Sequence, residues 1–409
     1  MKRVVVTGMG AITPIGTGWD AIKSSLTRRF SGVEYLPAWA EIDSMTSHLG
    51  APVKDFETPS NYNRKKLRTM GKVSIMAVRA TEMALIEADL LNSPRLEDGM
   101  TGVAYGSTNG STRDAISFMK SVGIDKSLKG VAGSTFVKFM THTCAANLSL
   151  FYNLKGRLIS TTTACTSGSQ AIGYGYESIK SGAQDIMICG GSEELDPLGT
   201  AVFDIMYATS SRNDSPKTTP KPFDKDRDGL VVGEGAGTLV LESLESAQKR
   251  GANIIAEIIG YATNTDGSHM VNPSKDGMQR VIELAIKDAK IDSAKIDYVC
   301  AHGTATEIGD IAETNATEGC FKREVPISSI KSYMGHTLGA CGAIEAFVTI
   351  RQMNENWVFP TLNLENVDPA CGKLDYIKDV RNLEQDCVMS NNFAFGGVNT
   401  SLIFKKWHM

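Results

Sequence analysis

The chain has 409 residues, 42% of them hydrophobic and 22% charged, and its 42 Lys and Arg against 46 Asp and Glu leave a formal net charge of −4. This balance excludes a disordered chain, which is poorer in apolar residues, and gives no bulk attraction for nucleic acid or an anionic membrane. No apolar run approaches the about 18 residues that cross a bilayer. The eight cysteines lack paired spacing, which predicts reduced thiols in a cytoplasmic protein rather than a disulfide framework or a zinc site.

Residues 4–6 read as a first strand, because Thr7 and Gly8 end the apolar run too early for a secretory signal. Further strands are predicted at 102–105, 185–189, 237–241, 298–301, 325–327, 388–390 and 401–404. Helices are predicted at 72–88, 167–181, 244–250, 277–289, 311–321 and 342–354. Strands alternating with helices predict α/β layers around buried sheets. The strands at 4–6 and 299–301 each lead into a glycine-bearing turn, which suggests two related halves, 1–250 and 251–409.

Three motifs fail on inspection. Gly8-Met9-Gly10 follows a strand, but the next glycine is Gly16, so the dinucleotide fingerprint is absent. Arg64, Lys65, Lys66, Arg68 and Lys72 read by themselves as a solvated helix face. Asp224-Lys225-Asp226-Arg227-Asp228-Gly229 imitates half of a calcium loop, yet its twelfth position is Gly235 where a bidentate Glu is needed. It reads as a turn capped by aspartates.

The run 161–170 stands apart. Three threonines and Ala164 lead to Cys165, and Thr166-Ser167-Gly168 then opens a helix. A thiol there would meet the positive end and free N–H groups of that helix, which predicts a lowered pKa. His302 follows a predicted strand in Ala301-His302-Gly303, and His336 lies in Gly335-His336-Thr337 ahead of a helix. Turns at strand ends are where catalytic groups collect, and one cysteine with two such histidines points to nucleophilic acyl chemistry.

With these residues in hand the sequence resembles the β-ketoacyl-(acyl carrier protein) synthases, the ketosynthase I/II group of the thiolase superfamily. The resemblance runs through 5–10, 163–168, 222–237, 302–313, 331–345 and 391–399. It implies an α/β, thiolase-like α-β-α-β-α fold of two related halves, the first carrying the nucleophile and the second the histidines. It also implies decarboxylative condensation of an acyl group on Cys165 with malonyl-carrier protein, without a cofactor or metal. His302 and His336 match the pair that promotes decarboxylation, and Lys331 the lysine that holds them. Phe395 matches the gate, its N–H forming an oxyanion hole with that of Cys165. Asp310, Glu313 and Glu345 match supporting acids, Thr304 and Thr306 pantetheine-binding positions, and Asn109 and Phe203 the acyl pocket. Lys65, Lys66, Arg68 and Lys72 match the carrier-protein docking face. The implied partners are acyl carrier protein and either a second copy or a chain-length-factor-like paralogue.

The chain departs from the family pattern in places. Ala394 stands where the gate usually has glycine, Asn109 near an apolar floor residue, Tyr207 for a basic docking residue and Val271 for a threonine. Cys300 replaces the asparagine of the relatives' cation site beside Glu345, Ser390 and Asn391. Cys165-Thr166-Ser167-Gly168, with Gly18-Trp19 and the run 390–395, is similar to ketosynthases of aryl polyene pathways. Housekeeping fatty-acid elongation is the alternative. A non-catalytic chain-length factor would lack Cys165, and Cys371-Gly372-Lys373 lacks a thiolase's second glycine.

Overall fold

A computed structural model describes residues 1–54 and 56–408. The apolar opening at 4–6 starts a longer strand, β1 (Val4–Thr13), buried at every position. Unbroken burial means that both faces of the sheet are covered, so the strand shows no inside-outside alternation. A Cβ at Gly8 would lie 2.1 Å from the Ala84 carbonyl, so glycine lets helix α1 (Lys72–Glu87) press onto this strand.

The first half continues with β2 (Thr101–Gly106), α2 (Thr143–Tyr152), β3 (Leu158–Thr161), α3 (Ser167–Lys180), β4 (Ile186–Glu193) and β5 (Gly235–Ser243). The second contains β6 (Ala256–Thr265), α4 (Lys275–Ala289), β7 (Tyr298–Cys300), α5 (Glu307–Phe321), β8 (Pro326–Ser328), α6 (Cys341–Glu355), β9 (Asp375–Tyr376), β10 (Cys387–Phe393) and β11 (Val398–Lys406). These strands lie in a 12-stranded sheet along the path β9-β8-β7-β10-β11-β6-β1-β5-β4-β2-β3. The path changes half once, at the antiparallel pair β1–β6. Outward from that pair the two halves repeat one pattern. The next neighbour (β5 or β11) is antiparallel on both its sides, and parallel strands follow.

Helices α3 and α6 lie between the two half-sheets and touch each other, α3 reaching β4 and β11 and α6 reaching β5 and β10. Helices α1 and α4 cover the outer faces, α1 on β1 and β5, α4 on β6 and β11. This is the α-β-α-β-α layering expected above. Every predicted strand and helix overlaps an observed element. The sequence reading missed β6, where Glu257 interrupts the apolar run and is matched by Arg3 at 2.7 Å. It also missed α2 and the helices Thr112–Met119, Gly133–Phe139 and Pro197–Ile205. The calcium-like turn is closed by its own chain: Asp224 accepts the N–H groups of Glu365 and Asn366 at 2.8 Å. The Arg227 side chain, 2% exposed, bridges Asp310 and Asp368.

Candidate active site

Cys165 sits in the short turn Ala164–Thr166 between β3 and α3. Ala164 has φ of 49°, a left-handed conformation that costs an ordinary residue about 1–3 kcal/mol unless its surroundings impose it. Small hydroxyl residues do so: Ser167 Oγ donates to the Ala164 carbonyl at 2.7 Å and accepts from Thr163 N at 3.0 Å, and Thr166 Oγ1 donates to the Thr163 carbonyl at 2.8 Å. The sulfur faces a cavity of about 210 Å³ that His302, His336, Phe203, Thr304, Thr306 and Phe395 also line.

The histidines come from the other half. His302 follows β7, and His336 follows β8 and the helical turn Lys331–Met334. Their rings stand 5.1 Å apart and nearly perpendicular, and His336 Nε2 is 2.9 Å from Cys165 Sγ. Their inner nitrogens face donors. His336 Nδ1 accepts from Leu338 N at 3.2 Å. His302 Nδ1 meets Lys331 Nζ at 3.2 Å and Asn392 Nδ2 at 3.4 Å. Each neutral ring therefore keeps its proton on Nε2, pointed at the cavity. Burial, then Lys331, holds both rings well below the usual histidine pKa, with His336 adding to the effect on His302.

Lys331 is 1% exposed and forms a close ion pair with Glu345. Burial opposes its charge, but Glu345 holds its pKa above the usual lysine range. Asn392 Nδ2 takes the other Glu345 oxygen at 2.6 Å. Glu313 accepts the N–H groups of His302 and Gly303, each at 2.7 Å, and fixes the His302 turn; burial pushes it up to about 8. Asp310 accepts from Phe223 N and Ala305 N, and burial pushes it up to about 6 against the pull of Arg227.

Several expectations need correction. Burial pushes the Cys165 thiol up to about 12, against the pull of Lys331 and of the Cys165 and Phe395 N–H groups that face the sulfur. The helix terminus does not offset desolvation, so the resting group is a thiol. Asn109 is exposed and outside the cavity lining, because Gly110 N bonds back to Ser107 Oγ at 3.0 Å and turns the loop outward. The buried-amide argument does not apply to this chain alone. Lys72 reaches inward to the buried Glu234 at 2.5 Å, and Lys66 Nζ donates to the Phe151 carbonyl. Arg64, Lys65 and Arg68 are exposed and make no ion pair among the described residues. Ala394 has extended backbone, so its Cβ leaves this gate conformation unstrained; the left-handed angles fall on Gly396 and Gly397.

Phe203 and Phe395 pack against each other at the cavity wall, tilted by 36° with centroids 5.3 Å apart. Thr304 and Thr306 share a 3.0 Å hydrogen bond at its wall. The thiolase alternative finds no support, since Cys371 lies outside the cavity. The reactive atoms of Cys165, His302 and His336 lie within 4.8 Å of one another, a spacing that would suit a soft metal. Metal binding needs the Nε2 lone pairs, and the donors at both Nδ1 atoms place the protons there instead. The cation of the relatives fits poorly too. Lys331 and Asn392 occupy both Glu345 oxygens and Cys300 offers a thiol, which leaves Ser390 Oγ, the Asn391 amide and Asn392 Oδ1 as buried oxygen and nitrogen atoms without partners among the described residues, too few hard oxygens for such an ion.

Sequence reasoning passed over Asn392, Glu193 and the mouth residues Met206, Met270 and Ile308. Asn392 was legible in principle: an asparagine inside a buried strand must find partners.

The family model described as beta-ketoacyl synthase, N-terminal domain, matches residues 1–247, and the C-terminal domain model matches residues 255–365. The chain is 38% identical to a 3-oxoacyl-(acyl-carrier-protein) synthase 2 of Synechocystis sp., over 99% of this chain and 98% of the relative. The crystal structure of a beta-ketoacyl synthase from Burkholderia phymatum superposes with a TM-score of 0.98 at 52% identity, covering all of both chains. The ishigamide ketosynthase/chain length factor structure gives 0.92 at 31%, again over both full chains.

Proposed function

The chain belongs to the β-ketoacyl synthase family, and from that premise we propose that Cys165 takes an acyl group from an acyl carrier protein and condenses it with malonyl-carrier protein. The observation that carries this reading is the pair of Nε2–H groups aimed at the cavity beside Cys165 Sγ. In the first step the Cys165 sulfur attacks the acyl thioester, and the released pantetheine thiol keeps the proton that the cysteine gives up. The N–H groups of Cys165 and Phe395 face the sulfur, a position from which they stabilise the tetrahedral oxyanion. In the second step malonyl-carrier protein loses carbon dioxide, and the electron pair of the broken bond becomes an enolate. His302 and His336 donate Nε2–H to its oxygen. The enolate carbon attacks the acyl-cysteine, the C–S bond breaks with its electron pair on the Cys165 sulfur, which takes a proton from solvent to return to the resting thiol, and 3-oxoacyl-carrier protein leaves. Lys331 holds His302 in the donor tautomer and keeps a positive charge beneath the site.

Arg64, Lys65 and Arg68, with the exposed apolar rim of Ile205, Tyr207, Met270 and Ile308, form the carrier-protein docking face in this reading. Converting the three cations to Glu should raise the KM for the carrier protein several-fold and spare a short pantetheine substrate. Equal loss with both substrates would point to another docking face. The stretch 112–139 exposes Ile116, Met119, Val122, Ile124, Leu128 and Phe136, and the Thr141 carbonyl just beyond it accepts from Ser160 Oγ of β3, the last strand of the sheet path among the described residues. An apolar face beside a free edge favours a like chain as cover, a second copy or a chain-length-factor-like paralogue. The motif 165–168 supports a specialised polyene-type pathway over housekeeping elongation in this reading. The test is detection of 3-oxoacyl-carrier protein and carbon dioxide from malonyl-carrier protein with matched saturated and polyenoyl acyl-carrier proteins. No product with either overturns the reaction, and faster turnover of saturated chains overturns the pathway.

A further inference from the structure

Glu193 ends β4, is 2% exposed, and has no part in the reaction as written above. One of its oxygens, Oε2, accepts two backbone N–H groups from opposite sides. Thr108 N reaches it at 2.8 Å from the loop after β2, and Gly339 N at 3.0 Å from the turn after His336. The neighbouring Glu194 fastens the far end of the same loop, accepting from Ser111 Oγ at 3.0 Å and Arg113 N at 3.1 Å. Packing supplies a second, independent observation. A Cβ at Gly339 would lie 2.9 Å from Ser107 Cα and from Thr108 N, and a Cβ at Gly191 would lie 2.2 Å from the Gly339 carbonyl. The loop and the turn are thus pressed together at a point where no side chain fits.

Gly339 directly follows Leu338, whose N–H sets the His336 tautomer. Hydrogen bonds and one peptide link therefore run from Thr108 through Glu193, Gly339 and Leu338 to His336, and end at Cys165 Sγ. We propose that Glu193 is a positioning residue that couples the 107–111 loop to His336, so that the order of this loop sets the donor placed over the reacting sulfur. The coupling rests on the condensation reading above. It assigns Glu193 the work of an acceptor, since both bonds go to one oxygen that an amide can supply equally well.

The test compares Glu193→Ala, Glu193→Asp and Glu193→Gln in the full-length protein. Two rates are measured: acyl transfer to Cys165 and decarboxylation of malonyl-carrier protein. Glu193→Ala should slow decarboxylation by about 10–100-fold, the scale of a misplaced catalytic group, and leave acylation within about threefold. Glu193→Asp, a methylene too short to reach both N–H groups, should show the same split more weakly, and keeps the test available if the alanine variant does not fold. Glu193→Gln should return decarboxylation to within about threefold of the parent. A glutamine variant as slow as the alanine variant would overturn the proposal, as would equal loss of both rates or unchanged decarboxylation in folded Glu193→Ala. Absence of decarboxylation in the parent protein would instead sink the condensation reading.

Discussion

Cys165 and Cys341 stand at the amino ends of the two buried helices, α3 and α6, that the half-sheets enclose. Both thiols are buried, both feel Lys331, and burial raises the pKa of both. They differ in what surrounds the sulfur. Cys165 lines the cavity, with His336 Nε2 at 2.9 Å and two N–H groups facing it. Cys341 lies outside the cavity lining, and its thiol donates to the Cys165 carbonyl at 3.2 Å. A helix terminus therefore does not select a nucleophile. Access and convergent donors do, and the second thiol serves to brace the first.

The comparison breaks most sharply by deletion. Cys165→Ala should lower condensation by about 10⁴-fold or more, whereas Cys341→Ala should stay within about threefold. Product-formation assays on the two variants check this, and comparable losses would show that Cys341 does more than brace. The donors come next. His302→Ala and His336→Ala should each slow decarboxylation by about 10²–10³-fold and still permit acylation of Cys165, the loss typical of one oxyanion donor. Parental decarboxylation in either variant would remove that histidine from the account.

Lys331→Met leaves the buried Glu345 carboxylate without its cation and should cost about 3–5 kcal/mol of stability. Denaturant unfolding measures it, and Lys331→Met with Glu345→Gln should recover part of the loss. The last contrast is the pH response of the two thiols. A thiol raised to about 12 is protonated across the neutral range, so its reactive fraction grows with pH until that value is reached. Iodoacetamide labelling of Cys165 should rise about tenfold per pH unit from pH 7 to pH 10. Cys341 should stay unlabelled while folded. A plateau near pH 8 at Cys165 would restore the lowered pKa that the sequence led us to expect.

That expectation marks where sequence reading stops. Cys165, His302 and His336 were legible as a candidate cluster because each sits in a short turn at an element end beside small residues, whereas Lys331 came from the family resemblance alone. Apolar runs alternating with helices made α/β layers legible, and the five-layer arrangement came from the family resemblance. Desolvation was not, since it depends on what other segments place over a residue, and it reversed the sign of the Cys165 shift. Asn109 failed for a related reason: one Ser107–Gly110 hydrogen bond decides which way the loop turns, and nothing in the local sequence announces it. Lys72 looked like its basic neighbours until the buried Glu234 came within reach. Glu193 was hidden because a carboxylate inside an apolar strand shows its use only when the two N–H groups it serves arrive from residues 108 and 339.

The central claim is that the cavity-facing thiol, and not its buried counterpart, carries the acyl group. Peptide mass spectrometry after incubation with acyl-carrier protein tests it directly. The account requires one acyl mass on the Cys165 peptide, none on the Cys341 peptide, and loss of the label on adding malonyl-carrier protein as 3-oxoacyl product forms. An acyl group on Cys341, or one on Cys165 that malonyl-carrier protein does not discharge, would contradict it.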